Sequence, residues 1–199
     1  MLTERYTQAF QLAARLHQNQ RRKGTKVPYL SHLMAVSSLV LEYGGTEDEA
    51  IAGLLHDAVE DQGGRETLEL IRTQFGSAVA DTVWAVSDTD VKPKPAWRKR
   101  KEIYIAHAKV ASPSARLVSA CDKLHNLRSI LRDTLEQGER QWARFVPEAE
   151  SLEAKREAVL WYYEQLMGVY LESGPERVGR ELKRTLGALL EAIAEPSRP

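Results

Sequence analysis

Residues 46–64 read TEDEAIAGLLHDAVEDQGG, and the rest of the chain can be interpreted outward from them. Thr46, with Glu49 three residues later, is typical of a capping box at the start of a helix. Apolar side chains then recur at helical spacing: Ile51, Leu54, Leu55 and Ala58. The segment therefore predicts a helix that runs from Thr46 to the glycine pair 63–64 and carries a His-Asp pair and a Glu-Asp pair.

The residues before this segment also have helical periodicity. Thr3 is a suitable N-cap for a first helix, and Ser31 for a second helix that stops at the glycine pair 44–45. A basic, turn-prone stretch, residues 21–28, lies between them. No run of strands is evident, so this part of the chain predicts two helices joined by a turn.

The residues after the segment continue the same pattern. The expected elements are helices over 66–75 and 77–86, a loop over 88–95, helices from Trp97 and from Pro113, and two long amphipathic helices over 152–171 and 175–193. The fold class expected is all-α. We expect one compact helical bundle over residues 1–199, with its motif core in about 1–135 and two additional helices in about 150–194.

Composition limits the possible classes of function. The chain has 199 residues, of which 43% are hydrophobic and 28% charged, so a core is expected and disorder is not. Its one cysteine, Cys121, excludes an internal disulfide and a multi-thiolate metal site, which suits a reducing cytoplasm. Lys plus Arg and Asp plus Glu both total 28, a balance that argues against bulk nucleic-acid binding. No apolar run approaches the roughly 20 residues that span a bilayer, so no membrane partner is expected.

A group of polar side chains on three different helices suggests a metal site. His32, His56, Asp57 and Asp122 together offer two imidazoles and two carboxylates. Without thiolates, this donor set suits Mn²⁺, Fe²⁺ or Mg²⁺ better than a closed structural zinc site. Neighbours on an ideal helix point about 100° apart, so His56 and Asp57 can share one ion only near a helix end or at a bend.

Two acidic residues lie one helical turn beyond the His-Asp pair. Glu60 is four residues after His56, and Asp61 is four after Asp57. Carboxylates beside a metal can orient an attacking water, take its proton and protonate a leaving oxygen. Further along, Asn126 and Ser129 share a helix face with Asp122 and are candidates to hold a substrate. They are therefore candidate site residues together with the possible metal ligands and the two acids.

A structural interpretation of each residue alone is also open. A His-Asp dipeptide is frequent by chance, His32 could be a surface histidine, and Asp122 could pair with a neighbouring Lys or Arg. However, the His-Asp pair directly follows Leu54-Leu55, where buried charge is costly without a partner. The combination therefore favours the metal site.

The chain resembles the HD-domain phosphohydrolases, and specifically the hydrolase domain of the RelA/SpoT proteins and the stand-alone small alarmone hydrolases, including the metazoan SpoT homologues. The matching stretches are Arg21–Thr25 (RRKGT), Pro28–His32 (PYLSH), Leu54–Asp61 (LLHDAVED) and Asp122–Arg128 (DKLHNLR). This ordered set is more specific than the His-Asp pair alone. The family often has Thr where Ser129 stands, and Ser keeps the hydroxyl.

The resemblance implies a site and a reaction. His32, His56, Asp57 and Asp122 would bind Mn²⁺, and Glu60 and Asp61 would manage the attacking water and the leaving group. The residues implied to contact the substrate are Arg22, Lys23 and Asn126. The implied reaction removes the 3′-pyrophosphate from guanosine tetra- or pentaphosphate.

Three alternatives and two further features remain open at this stage. The same metal site would serve a general HD nucleotidase or an NADPH 2′-phosphatase, or the chain could be a non-catalytic nucleotide sensor. Six cations between Lys92 and Lys101 would attract a polyanionic substrate, and one or two of them are expected to touch phosphate. The C-terminal helices would either cover the core or form the contact of a homo-oligomer.

Overall fold

The computed structural model describes residues 1–89 and 93–194, and α-helices account for nearly all of the regular structure in them. The helices are α1 (Glu4–Leu16), α2 (Leu30–Glu42), α3 (Glu47–Leu55), α4 (Ala58–Asp61), α5 (Gly64–Phe75), α6 (Ser77–Val86), α7 (Trp97–Val110), α8 (Pro113–Gln137), α9 (Leu152–Ser173) and α10 (Glu176–Ala194), with a 3₁₀ helix at Gly138–Arg144. Within the described ranges, the only β pairing is an isolated bridge between Arg21 and Pro28. The all-α fold class is confirmed.

Several helix ends lie where the sequence predicts them. Thr46 caps α3 in a complete capping box with Glu49, and the Thr3 side chain accepts a hydrogen bond from the Arg5 N–H at the start of α1. Gly76 separates α5 from α6 with a φ of 89°, a value that favours glycine. These boundaries follow from local chemistry, so the sequence sufficed to predict them.

Two predictions about helix ends are wrong. The helix that begins at Thr46 does not continue to the glycine pair 63–64, because it ends at Leu55 and a separate short helix begins at Ala58. Ser31 does not cap α2, which begins one residue earlier. The Ser31 hydroxyl instead donates to the Pro28 carbonyl, so it stabilises the turn before α2 and not the first backbone N–H groups of the helix.

Helix α3 lies at the centre of the molecule, and α1, α2, α6 and α8 pack around it. All its residues from Ala50 to Leu55 are buried. It approaches α2 closely because Gly53 has no side chain: a β-carbon there would lie 3.1 Å from the Ser37 Cα. The Ser37 hydroxyl donates to the Ala50 carbonyl at 2.8 Å across the same contact. This packing fixes the positions of the histidines that α2 and the end of α3 carry.

The two C-terminal helices cover one side of α8. Helix α10 packs along α8, and α9 packs against α10, α7 and the 3₁₀ helix. Leu182, Leu186 and Leu189 of α10 are buried in this contact. Of the two alternatives left open for these helices, covering the core is the one that their packing on α8 shows. No helix among residues 1–89 and 93–194 combines the length and the apolar character needed to cross a membrane.

Candidate metal centre and substrate cavity

The break between α3 and α4 falls on the His-Asp pair itself. His56, the C-cap of α3, has φ −59° and ψ −32°, and Asp57, the N-cap of α4, has φ −95° and ψ −2°. The two side chains converge, and His56 Nε2 lies 2.9 Å from Asp57 Oδ2. Neighbouring residues can share one ion at a helix end, and His56 and Asp57 lie at such an end. The helix ends here, earlier than the glycine pair 63–64.

All four predicted metal ligands come together in space. One ligand atom from each of His32, His56 and Asp57 lies within 4.8 Å of the others. Asp122 Oδ1, from α8, lies 3.2 Å from His32 Nε2 and 3.6 Å from His56 Nε2. Helix α2, the α3–α4 junction and α8 thus each contribute donors to one small volume, which we call the HD cluster (His32, His56, Asp57 and Asp122).

The imidazoles of the HD cluster are oriented as metal ligands require. His56 Nδ1 donates to the Gly53 carbonyl at 2.8 Å, and His32 Nδ1 lies 2.7 Å from His125 Nδ1. These contacts occupy the outer nitrogen of each ring and leave Nε2 turned inward. Both Nε2 atoms are buried, and their polar neighbours are the cluster carboxylates: Asp57 Oδ2 lies 2.9 Å from His56 Nε2, and Asp122 Oδ1 lies 3.2 Å from His32 Nε2. Two buried imidazole nitrogens beside two carboxylates fit a divalent cation.

The charges of the HD cluster also suit a cation. Burial raises the pKa of Asp122, but Lys123 and the two histidines outweigh burial and hold that pKa well below its usual range. Burial lowers the pKa of His32, which keeps that ring neutral. Burial also lowers the pKa of His56, but the effect of Asp57 and Asp122 is larger, and together they hold this pKa well above its usual value. The His56 ring must therefore release a proton to bind a cation.

Sequence reasoning missed a tyrosine that holds one of the cluster carboxylates. The Tyr29 hydroxyl donates to Asp57 Oδ2 at 2.6 Å. The Tyr29 ring stacks on His17 with centroids 5.4 Å apart and meets the edge of His32 at 5.5 Å. The sequence contained one signal for this role, because Tyr29 lies in the PYLSH motif, but an aromatic residue beside Pro28 is equally typical of a core position.

Glu60 and Asp61 lie next to the HD cluster on α4, but their partners differ. Glu60 accepts hydrogen bonds from Lys94 Nζ at 2.6 Å and from the Asp88 N–H at 3.2 Å. Asp61 Oδ2 accepts one from the neutral amide of Gln20 at 2.7 Å. Partial desolvation by the surrounding protein and the nearby Asp57 raise the pKa of Asp61 to about 6, although the residue as a whole is exposed to solvent. One carboxylate thus faces a cation, and the other can hold a proton near neutral pH.

The predicted substrate residues line one cavity of about 580 Å³: Arg22, Lys23, Asn126 and Ser129. Asn126 links this cavity to the HD cluster. Its Oδ1 accepts from Arg22 Nη2 at 2.6 Å, and its Nδ2 donates to Asp122 Oδ1. The Ser129 hydroxyl donates to the His125 carbonyl at 3.1 Å within α8. Lys23 is exposed at the cavity mouth.

The remaining wall of the cavity is formed by α7, α8, the 3₁₀ helix and α9. Its side chains are Trp97, Lys101, Lys123, Arg144, Tyr162 and Tyr163. The sequence did not fix the register of residues 161–163. In the structure Tyr162 and Tyr163 line the cavity. Trp161 instead lies beneath Arg98, whose guanidinium carbon is 3.3 Å from the centroid of the Trp161 ring.

Most cations of the basic segment are engaged with acidic side chains. Lys94 pairs with Glu60, Arg98 with Glu102, and Arg100 and Lys101 with Asp88. Lys92 lies outside the described residues. Among the described cations of this segment, Lys101 lines the cavity. Lys101 is therefore the first candidate in this segment for a contact with phosphate.

Comparisons with known proteins agree with this geometry. Residues 9–148 match the family model described as HD domain. Over 132 residues the chain is 40% identical to the guanosine-3′,5′-bis(diphosphate) 3′-pyrophosphohydrolase of Xenopus tropicalis, covering 65% of this chain and 71% of that protein. The Homo sapiens protein of the same name is 38% identical over 132 residues, with the same coverage of both chains.

The fold has a known counterpart as well. A solved structure described as a metazoan ortholog of SpoT that hydrolyzes ppGpp superimposes with a TM-score of 0.74 over 97% of this chain and 98% of that chain, at 23% identity. The fold and the sequence together define the class, and the chain belongs to the HD-domain family. The resemblance to the RelA/SpoT hydrolase domain and the metazoan SpoT homologues is confirmed.

Proposed function

We propose that this protein is a metal-dependent pyrophosphohydrolase that removes the 3′-pyrophosphate from guanosine tetraphosphate or pentaphosphate. One observation carries the proposal: two buried imidazole nitrogens converge with two carboxylates beside a cavity whose lining includes Arg22, Lys23 and Lys101. The names of the Xenopus tropicalis and Homo sapiens relatives give this activity for those proteins.

We further propose that His32, His56, Asp57 and Asp122 hold Mn²⁺. Nitrogen and oxygen donors without sulfur favour this ion, and Fe²⁺ or Mg²⁺ would also suit the donor set. When bound, the ion would lower the pKa of water and neutralise charge on the phosphoryl group. The residues around the cluster then have the separate tasks of holding the substrate and moving protons.

Glu60 and Asp61 divide the proton transfers in this proposal. The water oxygen bonds to the phosphorus attached to the ribose 3′ oxygen, and the bond between that phosphorus and the 3′ oxygen breaks. Glu60, held by the Lys94 ammonium, accepts the proton that the water loses. Asp61, whose pKa is raised to about 6, supplies a proton to the 3′ oxygen. The products are GDP or GTP and pyrophosphate.

The cavity residues support a polyanionic nucleotide as substrate. Arg22, Lys23, Lys101 and Arg144 place positive charge around the cavity, while Tyr163 and Phe145 add aromatic surface for a base. Asn126 touches both Arg22 and Asp122, so it lies between the phosphate-binding cations and the HD cluster. We propose that Asn126 and Ser129 orient the sugar and phosphate.

Substitution of each acidic residue tests the proton-transfer roles. Glu60→Gln and Asp61→Asn keep the shape of each side chain but remove its acid-base function, so turnover should fall by about 10²- to 10⁴-fold. Bound metal, measured by elemental analysis, should stay at the wild-type level. Glu66→Gln, an exposed acid at the start of α5, is the matched control. Wild-type turnover in either site variant would contradict the assigned roles.

A substrate panel tests the proposed specificity. Guanosine tetraphosphate, guanosine pentaphosphate, NADPH and ordinary nucleoside triphosphates would be compared at equal metal loading. We expect the two guanosine substrates to give the highest kcat/KM. Preferential release of phosphate from NADPH would replace the proposed substrate and keep the metal chemistry. Tight binding without any product would indicate a nucleotide sensor.

A further inference from the structure

Gln20 follows α1 and lies against Asp61, and its backbone is fixed on both sides. The Gln20 N–H donates to the His17 carbonyl at 3.0 Å, and its own carbonyl accepts from the Tyr29 N–H at 2.9 Å. Its side-chain Nε2 donates to Asp61 Oδ2 at 2.7 Å. The contact with Asp61 therefore comes from a residue whose main chain has little freedom to move.

The Gln20 amide has one orientation that satisfies its neighbours. Its Oε1 lies 2.7 Å from His17 Nδ1 and 2.5 Å from Gln62 Nε2, and Gln62 Nε2 can only donate. Rotating the Gln20 amide by half a turn would place its Oε1 against the Asp61 carboxylate. It would also place the Gln20 NH₂ group against the Gln62 NH₂ group, so that two donors would face each other. The surroundings thus direct an N–H group at Asp61.

His17 strengthens this orientation. Burial lowers the pKa of His17, so its ring is neutral, and the Gln20 carbonyl oxygen selects the tautomer with the proton on Nδ1. His17 Nε2 is buried and makes no hydrogen bond within the described residues, as expected for the unprotonated nitrogen of that tautomer. The Tyr29 ring stacked on His17 at 5.4 Å holds the imidazole in this plane.

We propose that Gln20 is a positioning residue for the reaction: it holds Asp61 Oδ2, with its amide orientation set by His17 and Gln62, so that Asp61 Oδ1 faces the substrate. This inference rests on the proposed role of Asp61. A neutral donor suits that role, because an amide fixes a carboxyl group without forcing it to ionise as a cation does. Glu60, held by the Lys94 ammonium, shows the opposite choice one residue earlier.

The groups that face Asp61 determine what loss of the amide does. Asp57 and Glu60 are the anions near Asp61, Lys94 is the cation, and the Gln20 hydrogen bond lowers the pKa of Asp61 against the effect of burial. Without that hydrogen bond, the pKa of Asp61 should rise and its carboxyl group should rotate more freely. The Asp61 carboxyl group should then be less well oriented for proton transfer, whereas substrate binding should change little.

The kinetic experiment uses Gln20→Met, which keeps side-chain length without the amide, in the Mn²⁺-loaded full chain. We expect kcat to fall about 10- to 100-fold, with KM within about twofold and metal content unchanged. Gln18→Met is the matched control on the exposed side of the same segment and should behave as wild type. Gln20→Glu should recover part of the lost kcat below about pH 6, where the two carboxyl groups can share a proton. An unchanged kcat per metal-loaded Gln20→Met molecule would overturn the inference.

A second measurement does not depend on turnover, so it separates this inference from the proposed function. Carboxyl ¹³C NMR of Mg²⁺-loaded protein, with the Asp61 signal assigned through Asp61→Asn, should give a higher pKa for Asp61 in Gln20→Met than in wild type. The same pKa in both proteins would show that Gln20 does not act on Asp61. Failure of the wild type to cleave any nucleotide, with the NMR shift present, would overturn the function and leave the contact between Gln20 and Asp61 established.

Discussion

The HD cluster and the wall of the cavity are built in different ways. Each cluster histidine is oriented by a short contact on its outer nitrogen: His56 by the Gly53 carbonyl and His32 by His125. The wall carries aromatic and cationic side chains of α7, α8, α9 and the 3₁₀ helix, and two of its cations pair with acidic side chains, Lys101 with Asp88 and Arg144 with Asp133. We therefore expect the cluster to determine the chemistry and the wall to determine which nucleotide is accepted.

The two regions should therefore respond differently to substitution. A ligand removed from the HD cluster leaves the remaining donors unable to hold the ion, so activity should be lost almost completely. A side chain removed from the wall takes away one of several contacts with the substrate, so KM should change by degrees.

Asp57→Asn should abolish most activity. The substitution keeps the size of the side chain but removes an anionic ligand, so bound metal should fall to a small fraction of the wild-type content and turnover by more than about 100-fold. Asp81→Asn, at an exposed acid paired with Arg72, is the control and should keep both. Elemental analysis and a turnover assay would check this, and full metal content in Asp57→Asn would refute its assignment as a ligand.

Tyr29→Phe should have an intermediate effect. It keeps the ring stacked on His17 but removes the hydroxyl that donates to Asp57 Oδ2 at 2.6 Å. Loss of such a supporting hydrogen bond reduces metal affinity or activity by about 10- to 100-fold. Metal titration and kcat would be measured beside Tyr6→Phe, which removes a hydroxyl at the α1–α2 contact instead. Equal values for the two variants would mean that Tyr29 does not support the cluster.

Lys101 should give the wall a pH dependence. Burial, together with Lys123 and Arg100, lowers the pKa of Lys101 to about 7, even though Asp88 lies 3.0 Å from its Nζ. Lys101 is therefore charged below that pH and neutral above it, so attraction for a polyanion is lost as pH rises. KM should increase about fivefold between about pH 6 and pH 8.

The control for this prediction is a pair of arginine variants. Lys101→Arg stays charged across the range, so its KM should be flat with pH, whereas Lys99→Arg, at an exposed position, should retain the wild-type profile. A pH-dependent KM in Lys101→Arg identical to that of wild type would assign the effect to another group.

Arg98→Ala should have the smallest effect. Its guanidinium lies over the Trp161 ring and pairs with Glu102 on the exposed side of α7, away from the cavity lining. We expect the free energy of unfolding to fall by about 0.5–1 kcal/mol and the kinetic constants to stay unchanged. Urea unfolding and a turnover assay would check both. A large rise in KM would place Arg98 among the substrate contacts and enlarge the wall.

Local signals predicted much of the fold from sequence. The capping box at Thr46, the glycine at 76 and Pro113 mark helix ends through their own backbone chemistry, and each lies at such an end in the structure. The break at His56 was not predicted there, because the apolar pattern of α3 runs on to Ala58 and no glycine or proline lies between Leu54 and Ala58. The break lies where α3 contacts α2 and α8, and such tertiary contacts are not visible in a local pattern.

The candidate site was predictable to a similar extent. His32 and Asp122 were predicted from their donor chemistry and from the resemblance, and they lie together in the structure. Gln20 was not identified, because its contact with Asp61 joins residues 41 positions apart in the sequence, and no local pattern brings them together. For Tyr163, three consecutive aromatic residues on α9 gave no periodicity that could decide which of them faces the cavity.

We propose above that the HD cluster and its cavity form the site of a pyrophosphohydrolase. The most direct test is incubation of purified, Mn²⁺-loaded protein with guanosine tetraphosphate, with products resolved by ion-exchange chromatography. We predict that GDP and pyrophosphate appear in equal amounts and that neither appears with Asp57→Asn. Intact guanosine tetraphosphate, in the presence of protein whose metal content has been verified, would contradict the account.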